Sequence, residues 1–400
     1  MNRFLSGFLA AGNALAQTVV LFSFRSVCPL LTTESVCTRT ATDASSPTPG
    51  GFVVADTGHA AGYLPQLVFV VVSTVLVHRV LCGAAGSGPR PGFVLLLIGA
   101  ALLSAGSAEL VLQALTMDAQ PPGMGWFHWY IQYTLPRPAP APTAYALWCG
   151  WEPPVLLGVA VRLARDSEPI RLLLSLGGNS DDGDAGAARA ASASPAAARH
   201  RWNTAAAGLV PVVLLAAAGG PVLRHTLVLS RDPASVTFDR DLWMPYRPPQ
   251  ILDAFRSLLY PALRLRPLRT ETTAGWLATA GACLVLLAVL GAALYAVAGS
   301  TAGKRPLRVV TECWCATVFA AALAGVSEAA GLRVAWWQVS PSADARFFDL
   351  LGVSFPDAVR FGTVWGWAVG ACVVCALWKA ERDRAGAPVP RGEGGLSHAG

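Results

Sequence analysis

Long apolar runs, each close to 20 residues, set the strongest constraint on this chain. A helix of about 20 residues crosses the hydrocarbon core of a bilayer. Lipid offers no water to unpaired backbone groups, so such a run must satisfy them internally as a helix. The most informative pair lies near the C-terminus. Val309–Leu332 is an apolar run that carries Glu312 and Glu328. A stretch rich in aromatics and charge follows, with Trp336, Trp337, Arg346, Asp349 and Asp357, and it reads as a loop. A second apolar run, Phe361–Trp378, then ends on Lys379. Composition agrees: 54% of residues are hydrophobic and 14% are charged, where a soluble chain has about 25% charged.

Taken in order, the runs predict eight helices: Leu5–Phe24, Tyr63–Leu81, Phe93–Leu115, Thr143–Leu163, Thr204–Leu223, Thr273–Ala298, Val309–Leu332 and Phe361–Trp378. The first has the look of a signal peptide, with Arg3 before it and Ala14-Leu15-Ala16 within it. Because the apolar run continues past that point, an uncleaved first helix is expected. The predicted fold class is an all-α, polytopic integral membrane protein of about eight transmembrane helices in two four-helix halves. The halves span residues 1–174 and 204–379. A disordered linker is expected over 175–203, where Asn179-Ser180-Asp181-Asp182 and Ala/Ser/Pro repeats show no periodicity, and a disordered tail over 380–400. Between Arg224 and Thr272, the spacing of Leu252, Phe255, Leu259 and Leu263 among Arg256, Arg264 and Arg266 predicts an amphipathic helix on the membrane surface.

The formal net charge of +6 is explained by orientation in the membrane. Arg79 and Arg90, Arg199 and Arg201, Lys304, Arg305 and Arg308, and Lys379 and Arg382 all fall on one side of an eight-helix path. The positive-inside rule therefore predicts a cell-membrane protein with both termini in the cytoplasm, although the Arg-rich 224–272 segment falls on the opposite side. No zinc finger, RNA-binding signature or basic-aromatic patch points to nucleic acid. Partners are expected to be the lipid bilayer and a lipid-linked glycan or small polar ligand, with no cofactor.

Chemistry must come from the acids, since the chain has no P-loop, dinucleotide fingerprint, HExxH or Gly-x-Ser-x-Gly. An ionisable residue within a span is a functional candidate by default. Glu109, Glu152 and Glu328 lie toward the outer side of their helices, with Arg346, Asp349 and Asp357 available from the outer loops. These six form the candidate polar site, for a head group, a sugar or a proton. Equally, each Glu could pair with an Arg or cap a neighbouring helix and only fix packing. Glu312, close to Arg308, favours that second role. Most cysteines, including the Cys372-x-x-Cys375 pair, read as small apolar packing residues. Cys28 and Cys37 lie in a polar loop and would form a disulfide in an oxidising compartment.

The halves share a plan. Glu109 and Glu328 each precede a helix exit and an aromatic stretch, then a helix with paired tryptophans, Trp148 and Trp151 or Trp365 and Trp367. That pattern suggests duplication. The second half also resembles the VanZ-like family of bacterial membrane proteins. The likeness rests on Phe238-Asp239 and Leu242-Trp243-Met244-Pro245-Tyr246, on the helix-end pair Ser327-Glu328, and on Arg346-x-x-Asp349 with Asp357 ahead of a helix bearing Gly362, Gly366 and Gly370. Leu332 stands where the family pattern would place a Gln. The resemblance implies a cell-envelope membrane protein that binds or modifies a lipid-linked or surface polymer at the outer leaflet. Two other functions fit the same residues: a proton-coupled transporter using the intramembrane Glu, and a non-enzymatic structural or assembly protein, including a viral multi-pass envelope protein. No motif decides whether the chain is an enzyme.

Overall fold

A computed structural model describes residues 6–13, 15–17, 64–84, 92–118, 152–153, 155–157, 159–160, 195–229, 257–267, 273–299, 305–339 and 347–385. The architecture is all-helical. Six helices organise it: α1 (Leu64–Ala84), α2 (Gly92–Asp118), α3 (Pro195–Leu229), α4 (Thr273–Ala298), α5 (Pro306–Val339) and α6 (Phe347–Ala385). Among the described residues, five helices are long and apolar enough to cross a membrane. These spans are Gly92–Val111, Ala197–Gly220, Thr273–Ala298, Pro306–Val334 and Ser354–Asp383, and Leu67–Leu81 in α1 is a shorter apolar helix.

Local chemistry suits a non-aqueous surrounding. Hydroxyls in the helices return to the carbonyl one turn back: Thr74 to Val70 at 2.8 Å, Ser104 to Ala100 at 2.7 Å, Thr317 to Cys313 at 2.8 Å and Thr363 to Val359 at 2.8 Å. Each removes a hydrogen-bonding group that would otherwise be stranded. Apolar side chains also line outward faces, including Leu67, Val71 and Val75 on α1 and Leu277 and Leu284 on α4. Water would penalise such stripes, whereas acyl chains would solvate them.

The antiparallel hairpin of α5 and α6 forms the centre of the bundle. Gly362, Gly366 and Gly370 bring α6 against Val318, Trp314 and Val310 of α5, where an added Cβ would lie within 2.8 Å of the Val310 and 2.7 Å of the Val318 backbone. Small residues drive helix association in lipid by letting backbones approach this closely. The Trp314 indole fills the space over Gly366 and donates to the Thr363 carbonyl at 2.9 Å. Among other helix glycines, Gly325 meets Ala358 and Ser354, while Gly281 faces open space and Gly291 makes only an ordinary contact.

The remaining helices surround this pair. α4 packs on α5, and α3 lies against α4 and α6, with Gly208 beside Leu294 and Val373. α2 packs directly on α5 and α6, through Gly99 against the Cys315 backbone and Gly106 against Thr363 and Val359. One buried cluster accordingly mixes Phe69, Ala100 and Leu103 with Cys315, Val318 and Val359. The N-terminal helical residues add Ala10 to Val77, Leu81 and Leu97, and Ser6 Oγ lies 3.2 Å from His78 Nδ1. Helices from both halves therefore contribute to one core.

Three sequence expectations are corrected. The stretch read as a loop before Phe361 is helical from Phe347, and α5 runs on to Val339. Pro356 sits inside α6, a break signal in water that buried membrane helices tolerate. The linker is already helical from Pro195, and the tail as far as Ala385, where Arg382 stacks 3.9 Å over Trp378. Finally, residues 257–267 are no amphipathic helix. They form a short 3₁₀ turn (Ser257–Leu259) followed by irregular backbone, a strap packed on α3 and α6. Pro261 and Pro267 lack the donors a helix needs, and neighbouring helices supply partners instead. Trp365 Nε1 donates to the Leu258 carbonyl at 2.7 Å, Trp276 Nε1 to the Arg264 carbonyl at 3.0 Å, and the Leu263 amide to the Ala216 carbonyl at 2.8 Å.

Candidate functional site

The helix pairings fix which ends lie together. Arg199, Arg201, Arg305, Arg308 and Lys379 fall at one end of the bundle, where Arg201 lies against Gly299. Glu109 is about 26 Å along α2 from Gly92, and Arg360 about 28 Å along α6 from Lys379, at 1.5 Å per residue. Both therefore sit at the opposite end, and Glu328 and the first turns of α4 sit there too.

At that end the two halves meet through charge. Glu109 is completely buried, and its carboxylate accepts a hydrogen bond from Arg360 Nε in an ion pair joining α2 to α6. Arg360, also buried, reaches Asp357 Oδ1 with Nη1 at 3.5 Å, one turn earlier on α6. Glu328, half-buried on α5, accepts a hydrogen bond from Thr279 Oγ1 of α4 at 3.1 Å. Between these groups the strap inserts Tyr260, which is only 7% exposed and packs edge-on against Phe361 at 6.4 Å. Its hydroxyl is buried and turned toward Glu328, but falls short of full hydrogen-bond geometry. Burial first, then the charges of Glu328 and Asp357, raise this phenol well above its ordinary range.

Of the expected site residues, Glu109, Glu328 and Asp357 do converge, around Arg360 and Tyr260. Glu152 does not join them: it is exposed on a short helical piece, with Pro153 buried beside it. Asp349 lies in the first turn of α6, with its side chain outside the described residues. Arg346, Cys28 and Cys37 also lie outside them. Glu312 pairs with Arg308 at 2.9 Å, the structural role expected for it. Glu109 and Glu328, aligned as counterparts in the two halves, have different partners, Arg360 and Thr279.

Sequence reasoning missed Arg360 and Tyr260. Arg360 had a signal: Asp357-Ala358-Val359-Arg360 is an i,i+3 charge pair at the mouth of an apolar run. Tyr260 had none, because its place depends on the strap. No family model, curated protein or solved structure matches the chain.

Proposed function

We propose that this chain is a non-enzymatic, multi-pass membrane protein of an envelope, with about eight spans and both termini in the cytoplasm, serving a structural or assembly role. One observation carries this reading: three acids inside the described spans are held by protein partners. Glu109 is bound by Arg360, Glu312 by Arg308 and Glu328 by Thr279. A carboxylate held in a buried ion pair is poorly placed to load and release protons or substrate. A second reading, the VanZ-like one, has support of its own. Glu328 and Asp357 keep part of their surface exposed at one end of the bundle, where a polar head group of a lipid-linked polymer would arrive.

The test replaces Glu109, Glu312 and Glu328 singly by Gln and follows protein level beside function in a host lacking the native protein. A structural role predicts that any defect scales with the amount of folded protein. Loss of an envelope polymer phenotype at full protein level, with Glu328→Gln, would select the second reading. Loss of solute uptake at full level would select a transporter.

A further inference from the structure

The two ends of the bundle balance their charge differently. At one end Glu109, Arg360 and Asp357 neutralise one another inside the protein. At the other, Glu312 is taken by Arg308, and Arg199, Arg201, Arg305 and Lys379 have no acid partner among the described residues. Glu381 and Asp383, exposed on α6, pair with none of them. Arg201 is nevertheless held in place. Its guanidinium lies over Gly299 at the end of α4, with Cζ, Nε and Nη1 3.1–3.2 Å from where a Cβ would stand. A C-terminal helix end carries partial negative charge and favours a cation there.

Beside Arg201 the outward face of α3 is layered. Trp202 is 60% exposed, yet its ring is fixed against Tyr295 of α4, with centroids 5.0 Å apart. Arg199, exposed, stands about 4.5 Å further toward the helix start. In the other direction Ala206, Val210 and Leu214 continue the exposed face at four-residue steps. The same order recurs on α6, where the exposed Trp378 carries Arg382 one turn beyond it, stacked at 3.9 Å. Cation, indole and apolar face follow one another as phosphate, glycerol ester and acyl chain do in a phospholipid. Aromatic rings settle at headgroup depth, and a guanidinium binds a phosphodiester through two parallel hydrogen bonds. A choline headgroup would bring its own cation beside two unpaired arginines, so a net anionic lipid fits better. A soluble acidic partner would leave the apolar face of α3 uncovered. We propose that Arg199 and Arg201, beside the Trp202–Tyr295 pair, form a site for one anionic phospholipid at the basic end of the bundle. The proposal rests on the membrane-spanning part of the function proposed above and goes beyond the structural role.

The experiment uses the full-length protein purified in detergent and mixed with phosphatidylglycerol and phosphatidylcholine at equal mole fraction. Lipids retained after gel filtration are counted by native mass spectrometry. Phosphatidylglycerol should be retained about five-fold over phosphatidylcholine, the factor that one cation contributes near an anionic surface. Arg199→Gln/Arg201→Gln should abolish the preference. Arg199→Gln alone, at an exposed position, should reduce it, and serves as the test where the double variant fails to fold. Arg266→Gln, which removes an exposed cation of the strap at the opposite end, should leave the preference intact. Equal retention of the two lipids would overturn the proposal, as would a preference that survives the double variant or falls equally with Arg266→Gln. Glycerol phosphate or polyglutamate binding the lipid-free protein as tightly as phosphatidylglycerol would also overturn it, since the apolar face would then contribute nothing. A protein that fails to float with vesicles of either lipid would overturn the membrane reading as well. Unselective retention by a protein that floats would overturn this proposal alone.

Discussion

Severing the Glu109–Arg360 pair tests how the two halves are joined. Arg360→Met removes the cation from a fully buried carboxylate, and Asp357 loses its Nη1 contact as well. Breaking a buried pair from one side costs about 3–5 kcal/mol, because the remaining charge is left uncompensated. Glu109→Gln should cost less, about 1–3 kcal/mol, since Arg360 keeps Asp357 and an amide oxygen still accepts from Nε. The double variant Glu109→Leu/Arg360→Met should recover most of the loss, because apolar residues of similar size replace a buried pair at little or no cost. Unfolding in mixed micelles, followed by tryptophan fluorescence, supplies the cycle. Trp314 and Trp365 report directly, both bonded to backbone near this end. A Glu109→Leu/Arg360→Met variant whose destabilisation equals the sum of those of Glu109→Leu and Arg360→Met measured singly would refute the pair as the link between α2 and α6.

The glycine ladder makes a sharper contrast than charge. Gly370→Leu should destabilise by about 1–3 kcal/mol through overpacking against Val310, whereas Gly281→Leu, facing open space, should unfold as the native protein does. Trp365→Phe should remove one hydrogen bond from the strap, about 1 kcal/mol, and speed proteolysis between residues 257 and 267 while the helices stay protected. Tyr260 has a raised folded-state pKa, so its proton is held more tightly in the folded chain. Stability should therefore fall as pH rises past the unfolded phenol value of about 10. Tyr260→Phe should flatten that fall, and an ultraviolet titration of the native protein should show one tyrosine ionising last.

Much of the bundle could be read from hydropathy because lipid-crossing helices declare themselves by length and by the exclusion of charge. Thr273–Ala298 was placed to the residue on that basis. Helix ends were not, because the features that stop a helix in water do not stop one here. Pro356 and the acids Asp349 and Asp357 resemble a loop, yet α6 continues through them for 39 residues, about 58 Å in all. That exceeds the roughly 30 Å of hydrocarbon, so a helix of this length has room for charged turns outside an apolar layer.

The site was legible only in part, and the missing part has a physical cause. Acids within spans stand out individually, since each is costly in lipid, and Glu109 and Glu328 were found that way. Their partners are chosen by helix pairing, which a sequence states weakly. Arg360 is 251 residues from Glu109 in the chain, and they meet only because Gly106 lets α2 settle against Thr363 and Val359. Tyr260 depends on more remote choices still: two indoles, on α4 and α6, that take carbonyls a helical strap would have kept for itself. In an aqueous loop those carbonyls would be satisfied by water and the strap would be free to leave. Buried against the bundle they have no such alternative, so the same contacts that hide the strap also keep Tyr260 packed against Phe361.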